Sequence, residues 1–166
     1  MERSCRLETP LGPVILTGDE CALTSLRFVG QRYFPDTLPE PCGSAELPVF
    51  AQTADWLGLY FSGRDPGFLP PLRPEGTPFR LAVWKALLRI PYGQTVSYGE
   101  LATRLETQAG SRRVSARAVG SAVGHNPISL LIPCHRVVGA NGALTGYAGG
   151  LERKRLLLRL EQGVLL

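Results

Sequence analysis

The chain has 166 residues, of which 44% are hydrophobic and 19% charged, a composition typical of one or two compact globular domains. The first six residues lack the apolar stretch of a signal peptide, and no apolar run reaches the ~18 residues of a transmembrane helix. We therefore expect a cytoplasmic protein without membrane contact. Residues 1–78 hold 6 basic and 10 acidic side chains, whereas residues 79–166 hold 12 basic and 4 acidic ones. The basic second half indicates a polyanionic partner, although a solvated basic face is the alternative.

The first half predicts a strand hairpin, one helix and an extended connection. Residues 12–17 and 22–28 have the pattern of short strands, and residues 18–20 suit the turn between them. A helix is predicted from about Pro48 to Phe61, because its apolar residues recur at spacings of three and four and proline suits a first helical turn. Five prolines in residues 64–78 predict an extended connection. We place the domain boundary there, which gives domains 1–76 and 77–166.

The second half predicts three helices followed by a glycine-rich loop. The first runs from the Thr77 cap to about residue 89, and its apolar side is expected to hold Leu81, Trp84, Leu87 and Leu88. Ser97 and Glu100 form a capping box for a helix that extends to about Leu105. A polar, basic turn leads to a third helix over residues 115–123. This helix-turn-helix arrangement is typical of nucleic-acid binding, although pairs of short helices also occur in proteins that bind no DNA.

The third of these helices carries small side chains almost throughout. Arg117 is its only long polar side chain between residues 115 and 122. A helix that reads bases in the major groove normally carries several long polar side chains. We therefore expect this helix to lie in a groove and insert Arg117 without reading the sequence.

The four cysteines do not form a disulfide or zinc pattern. Cys5, Cys21 and Cys42 lack the paired spacing of zinc ligands, so we predict no metal and treat a zinc site as the less favoured alternative. Cys134 differs because His135 follows it, and a nearby imidazole can activate a thiol as a nucleophile. Adjacent side chains in a strand point to opposite faces, so the two cooperate only if the chain turns there. A buried cysteine beside a surface histidine is the alternative.

The stretch Ile132–Val138, IPCHRVV, resembles the active-site signature of the O6-methylguanine-DNA methyltransferases. The similarity continues upstream through VWKAL at 83–87, PYG at 91–93, VSYGELA at 96–102, ARAVG at 116–120 and GHNPI at 124–128. Downstream it includes the glycine-rich loop at 142–151 and the helix to Glu161. It covers residues 79–163 almost continuously, whereas residues 1–78 resemble the family only at Thr9–Pro13.

The resemblance implies an α/β fold of the α+β kind. A small N-terminal domain with strands would precede a helical C-terminal domain that holds a winged-helix-like helix-turn-helix and an active-site loop. It also implies a monomeric DNA repair protein, without cofactor or metal, that binds double-stranded DNA containing O6-alkylguanine. Such a protein flips the base and transfers the alkyl group irreversibly to Cys134, so each molecule reacts once.

The resemblance also implies catalytic roles for five residues. His135 activates Cys134 through a water, and Glu161 orients His135. Asn126 is the hinge between the DNA-binding helix and the Cys134 segment, and Tyr98 contacts the flipped guanine. Glu161 lies in a last helical turn, where the helix dipole disfavours a carboxylate, so we expect it to have a partner rather than to be solvated.

DNA-binding and pocket residues carry over in the same way. Arg117 would fill the gap in the base stack, and the DNA contacts would come from Tyr98, Ala116, Arg117, Ala118, Arg112 and Arg113. The backbone carbonyls of Cys134 and Val137 would accept hydrogen bonds from the guanine amine. The Ala148 amide would donate a hydrogen bond to O6, and Lys154 would assist the leaving guanine. The pocket residues are expected to be Val123, Val137, Leu144, Tyr147, Ala148, Gly149 and Lys154.

The sequence departs from the family at one turn, and two other functions are possible alternatives. The turn from Glu106 to Ser115 is longer than usual, and its two arginines add phosphate contacts or alter the docking angle. A non-catalytic alkylated-DNA-binding protein is the alternative function, although Cys134 argues against the alkyltransferase-like proteins, which lack the reactive cysteine. A Cys-His hydrolase would need a third orienting group and an oxyanion hole, and it would turn over repeatedly.

Overall fold

A computed structural model describes residues 1–108, 110 and 113–166 of the chain. Its first part is a four-stranded sheet with strand order β3-β2-β1-β4. The strands are β1 (Arg3–Leu7), β2 (Val14–Gly18), β3 (Leu23–Phe28) and β4 (Glu40–Pro41). Strands β1, β2 and β3 pair antiparallel, whereas the short β4 pairs parallel with β1.

Five helices are assigned in the described residues, one between the sheet and the extended connection and four after it. They are α1 (Pro48–Phe61), α2 (Pro78–Leu87), α3 (Tyr98–Gln108), α4 (Ala116–Gly124) and α5 (Leu151–Glu161). Two very short strands, β5 (Val96–Ser97) and β6 (Val137–Val138), pair in parallel beside the helices. The architecture is therefore the mixed α+β class that the sequence predicted, and none of these helices is long and apolar enough to span a membrane.

The sequence predicted several elements well and others incompletely. The hairpin strands and the bounds of α1 are confirmed, whereas β1 was not predicted. Leu81 and Leu88 were placed on the apolar side of α2, but they are 39% and 40% exposed, and Val83 and Ala86 are buried instead. Helix α3 continues to Gln108 rather than ending near residue 105. The connection to α4 is therefore shorter than the turn predicted from Glu106 to Ser115.

The hydrophobic core is continuous from the sheet to the helices. Backbone hydrogen bonds join β3 to the segment before Cys134, since the Leu26 amide donates to Pro127 and the Ser129 amide donates to Leu26. Trp84 of α2 donates its indole N–H to the carbonyl of Ala122 in α4 at 2.8 Å. These contacts fix the segment that leads to Cys134 between the sheet on one side and the helical pair on the other.

Candidate active site

Cys134 begins a single 3₁₀ turn, Cys134–Arg136, at the end of a buried apolar segment. The chain therefore turns at this point, which is the condition for cooperation between Cys134 and His135. Cys134 is only 4% exposed, and burial raises the pKa of its thiol, although a hydrogen bond with Asn126 and the charge of Lys154 act in the opposite direction. The resting cysteine is accordingly a protonated thiol that needs a base.

Glu161, the last residue of α5, accepts four hydrogen bonds in the interior. One oxygen lies 2.5 Å from Nε2 of His135 and accepts from the Tyr60 hydroxyl at 2.7 Å. The other accepts from Nε of Arg136 at 2.8 Å and from the Gly93 amide at 2.9 Å. The side chains of His135 and Glu161 are 0% and 1% exposed, so this pair is closed to solvent. The partner expected for Glu161 is therefore present, together with three others.

The charge states of this pair suit a neutral base. Burial lowers the pKa of His135, although the Glu161 hydrogen bond and charge oppose that shift. Burial alone would raise the pKa of Glu161, but the hydrogen bonds and charges of His135 and Arg136 outweigh it and lower this pKa to about 2. A carboxylate that accepts from Nε2 places the imidazole proton there and leaves the Nδ1 lone pair free. Within the described residues, buried Nδ1 has no hydrogen-bond partner.

Asn126 connects helix α4 to the cysteine segment through three hydrogen bonds. Its side-chain nitrogen donates to the carbonyls of Ile132 at 2.8 Å and Ile128 at 3.3 Å, and its oxygen accepts from the Ile128 amide. The side chain is 3% exposed, so these bonds are not in competition with water. Asn126 is placed to fix the Cys134 segment relative to α4.

Lys154 is a fully buried lysine whose ammonium group binds backbone carbonyls. Its Nζ donates to Val137, to Thr145 at 2.9 Å and to Gly146 at 3.0 Å. Burial lowers the pKa of Lys154 to about 8, against an opposing effect of Cys134. The buried ammonium holds the loop of residues 144–149 against the strand that follows Cys134, and it lies 5.9 Å from the Tyr98 ring centroid.

A cavity of about 310 Å³ contains Cys134 in its wall. Of the residues predicted for the pocket or the base contact, it is lined by Tyr98, Val123, Tyr147 and Ala148. Leu144 is 37% exposed and lies outside the lining, as do Val137, Gly149 and the fully buried Lys154. Gly149 has a steric role, because a Cβ there would lie 2.7 Å from the Tyr147 ring.

The proposed docking helix presents a small-residue surface. Ser115 caps α4 by accepting from the Ala118 amide, and Ala116, Arg117 and Ala118 are exposed, while Val119 and Ala122 face the core. Arg113, in the connection before α4, is also exposed. Arg112 lies outside the described residues. The helix therefore has one long cation on an otherwise smooth exposed face.

Several residues at the site were not identified from the sequence. Tyr60 and Arg136 bind Glu161, and the pocket lining also contains Arg32, Tyr33 and His125. The sequence does indicate a role for Arg136, because a charged side chain within an apolar stretch needs a buried partner. The other contacts join distant parts of the chain, and no local pattern specifies them.

The remaining cysteines show no metal arrangement. All four are free, with Cys5 buried, Cys42 half-buried and Cys21 exposed. Across residues 1–108, 110 and 113–166, no group of three or more His, Cys, Asp or Glu side chains could hold a metal ion.

Comparison with known proteins identifies similarities along nearly the whole chain. Residues 6–74 match the ribonuclease-like domain of 6-O-methylguanine DNA methyltransferase, and residues 78–163 match the DNA-binding domain of the same family. The methylated-DNA--protein-cysteine methyltransferase of Mycobacterium tuberculosis strain H37Rv is 46% identical over 159 residues, which is 94% of this chain and 90% of the relative. The protein of that name from Methanosarcina acetivorans is 44% identical over 157 residues, 93% of this chain and 94% of the relative.

Solved structures agree with the sequence comparisons. The crystal structure of Mycobacterium tuberculosis O6-methylguanine methyltransferase superposes with a TM-score of 0.85 at 46% identity, and the match covers 98% of this chain and 94% of that one. A crystal structure of Mycobacterium tuberculosis OGT in complex with DNA gives a TM-score of 0.82 at 45% identity, covering 97% and 93% of the two chains.

Proposed function

The chain belongs to the 6-O-methylguanine DNA methyltransferase family, and from this premise we propose that Cys134 is the residue that takes the alkyl group. The protein repairs DNA by transferring an alkyl group from O6-alkylguanine to its own cysteine, irreversibly and once per molecule. The observation that carries the assignment of Cys134 is its position beside His135, whose Nε2 is held 2.5 Å from Glu161 while Nδ1 is left as a base.

The reaction is a nucleophilic displacement at the alkyl carbon. His135 Nδ1 accepts the Cys134 proton through a bridging water, and Glu161 stabilises the imidazolium that forms. The thiolate sulfur then forms a bond to the alkyl carbon as the bond from that carbon to O6 breaks. The departing guanine takes up the proton that the thiol released, so the products are a thioether and an unmodified guanine. No described group in the pocket could hydrolyse a thioether.

Recognition of guanine combines backbone and side-chain groups. The Ala148 amide donates a hydrogen bond to O6, and the carbonyls of Cys134 and Val137 accept hydrogen bonds from the exocyclic amine. The Val137 carbonyl also accepts a hydrogen bond from Lys154. Tyr98, whose hydroxyl donates to the Thr145 carbonyl at 3.0 Å, contacts the ring and helps to turn the nucleotide. Lys154 assists the leaving guanine by its positive charge.

Binding to double-stranded DNA uses the exposed face of α4. The small residues Ala116 and Ala118 let the helix backbone approach the groove, and Arg117 enters the duplex to replace the flipped base. Arg112 and Arg113 add contacts to phosphates. Tyr147 and Val123 enclose the base, with Leu144 and Gly149 supporting the loop that forms the opposite wall.

The protein acts as a monomer in the cytoplasm. Every group that the proposed reaction needs comes from a single chain, so no second copy completes the site. A reducing compartment suits four free cysteines, one of which must stay reactive. The division into residues 1–76 and 77–166 follows the proline-rich connection, with the DNA-binding and reactive residues in the second part.

Intact-mass spectrometry after incubation with a duplex that contains O6-methylguanine tests this function. We expect the protein to gain one methyl group in place of one hydrogen, in at most a 1:1 ratio to protein. The Cys134→Ala variant keeps the other three cysteines and should gain no mass while still binding the duplex. Binding without a mass gain by the wild type would instead indicate a non-catalytic lesion-binding protein, and repeated turnover would indicate a hydrolase.

A further inference from the structure

Tyr33 belongs to the segment between β3 and β4 and lies over the DNA-binding part of the chain. Its ring stacks on that of His125, with centroids 4.1 Å apart and planes 22° from parallel. The Arg32 guanidinium lies 5.1 Å from the Tyr33 ring centroid. All three residues line the cavity that contains Cys134, so the first half of the chain forms one side of the substrate pocket.

The two rings differ in how firmly they are held. His125 caps the C-terminal end of α4, and its Nδ1 lies 2.8 Å from the Ser121 carbonyl, which fixes the ring on the helix. Tyr33 is 49% exposed and sits in an irregular segment, which is tied to the pocket by the bond from the Arg32 amide to the Ala148 carbonyl. The Tyr33 ring can therefore leave the stack while His125 stays in place.

The backbone at Tyr33 is in a strained conformation. Its φ of 62° is left-handed, a conformation that a bulky aromatic residue rarely adopts. Such strain at a site is retained where surrounding contacts compensate for it. Here the stack on His125 and the Arg32 contact hold the ring in place, so displacing the ring loses one aromatic pair.

Tyr33 is the exposed aromatic side chain in the cavity lining, and its ring can move to admit a larger substrate. Gly120, Gly124, Gly146 and Ala148 present little or no side chain. Tyr98 is held by its hydroxyl bond to Thr145, and Val123 is buried in α4. A methyl group adds one carbon to the guanine, whereas an aromatic O6 substituent needs space for a whole ring.

We propose that Tyr33 is a specificity-determining residue that limits the size of the O6-alkyl group transferred to Cys134. This proposal rests on the proposed function of Cys134. A bulky aromatic substituent must displace the Tyr33 ring and take its place on His125, whereas a methyl group reacts with the stack intact. The stack therefore favours small alkyl groups over large ones.

The test compares single-turnover transfer from two duplexes of identical sequence, one with O6-methylguanine and one with O6-benzylguanine. The measured quantity is the benzyl-to-methyl ratio of rate constants. Tyr33→Ala should raise this ratio by about two- to tenfold, the size expected for the loss of one aromatic pair. Tyr33→Phe keeps the ring and should leave the ratio unchanged, and Tyr33→Trp should lower it.

The rate ratios of the Tyr33 variants distinguish a role in selecting the alkyl group from a role in holding DNA. An unchanged ratio in Tyr33→Ala, or equal losses on both duplexes, overturns the proposal, since equal losses mean that Tyr33 holds DNA rather than selects the alkyl group. If the Ala variant does not fold, the direction of the ratio in Tyr33→Trp decides the question. Absence of transfer by the wild type from both duplexes would contradict the function of Cys134 itself, which is a distinguishable failure.

Discussion

Tyr60 of α1 donates a hydrogen bond of 2.7 Å to Glu161 at the end of α5, 101 residues later in the chain. The Tyr60 ring is fully buried and stacks on Trp56, with ring centroids 5.0 Å apart, so its hydroxyl is held in place by the helix that carries it. The hydroxyl also lies 3.3 Å from Nε2 of His135. The first half of the chain therefore contributes to the position of His135, the proposed base, as well as to the core.

Replacing Tyr60 by phenylalanine should weaken both the fold and the reaction. The change removes only the hydroxyl and leaves one acceptor site of a buried carboxylate unfilled. We expect a loss of about 1.5–3 kcal/mol in the free energy of unfolding, as for hydrogen bonds to charged groups. Alkyl transfer should slow while DNA binding is unchanged, because the imidazole loses part of its support. Urea unfolding and single-turnover kinetics measure the two effects.

Tyr92→Phe is the matched control for this variant. The Tyr92 ring packs edge-on against Tyr60, but within the described residues its buried hydroxyl has no hydrogen-bond partner. Removing that hydroxyl should therefore cost little stability and little activity. Equal effects of the two substitutions would show that the bond from Tyr60 to Glu161 contributes nothing specific.

Glu161 should make the stability of the protein sensitive to acid. Its pKa is about 2 in the folded chain against an ordinary 4.5, so its contribution is complete above 4.5 and is lost as the pH falls towards 2. The shift corresponds to at most about 3 kcal/mol. His135, whose folded pKa is lowered from 6.5, adds a separate loss that begins below pH 6.5.

The Glu161→Gln variant isolates the carboxylate in this pH dependence. It should be less stable than the wild type at neutral pH, and the difference in unfolding free energy should narrow between pH 4.5 and 2. Because Glu161 supports the protonated imidazole, the variant should lose more stability through His135 below pH 6.5, so the carboxylate itself is assessed from the narrowing between pH 4.5 and 2. Urea unfolding at a series of pH values measures the difference, and a constant gap across this range would contradict the assigned role of Glu161.

Local signals in the sequence account for much of the fold but not for the completed site. The bounds of α1 were predicted because its apolar spacing and first-turn proline agree. Strand β1, with the sequence RSCRL, has no clear alternation of apolar residues and is defined mainly by pairing with β2. The Tyr60–Glu161 and Tyr33–His125 contacts depend on packing between distant segments, and the sequence gives no register for such packing.

Arg117 should matter for duplex DNA and much less for a free base. In the proposed function its exposed side chain replaces the flipped guanine in the stack, a step that free O6-benzylguanine does not require. Arg117→Ala should therefore slow repair of a duplex strongly while the reaction with free O6-benzylguanine stays near the wild-type rate. Arg64→Ala removes an exposed arginine from the proline-rich connection and controls for the lost charge. Equal losses on both substrates would refute the role of Arg117.

Binding to undamaged DNA should depend steeply on salt and little on sequence. We expect the basic second half and the smooth face of α4 to provide contacts to phosphates but few groups that read bases. Each phosphate contact contributes about 0.9 to the slope of log K against log salt concentration. Replacing Arg113 by alanine should lower the slope by up to about 0.9, and replacing Arg112 as well should lower it by up to about 2 in total.

The two arginines precede the docking helix, whereas no step at Cys134 needs their charge. The double variant should therefore react normally with free O6-benzylguanine, and fluorescence anisotropy at a series of salt concentrations should show the reduced slope. Arg64→Ala serves as the control for net charge of the single Arg113→Ala variant, because long-range attraction alone would change equally with either substitution. A slope equal to that of the control would show that the connection before α4 points away from DNA and is a tolerated surface segment.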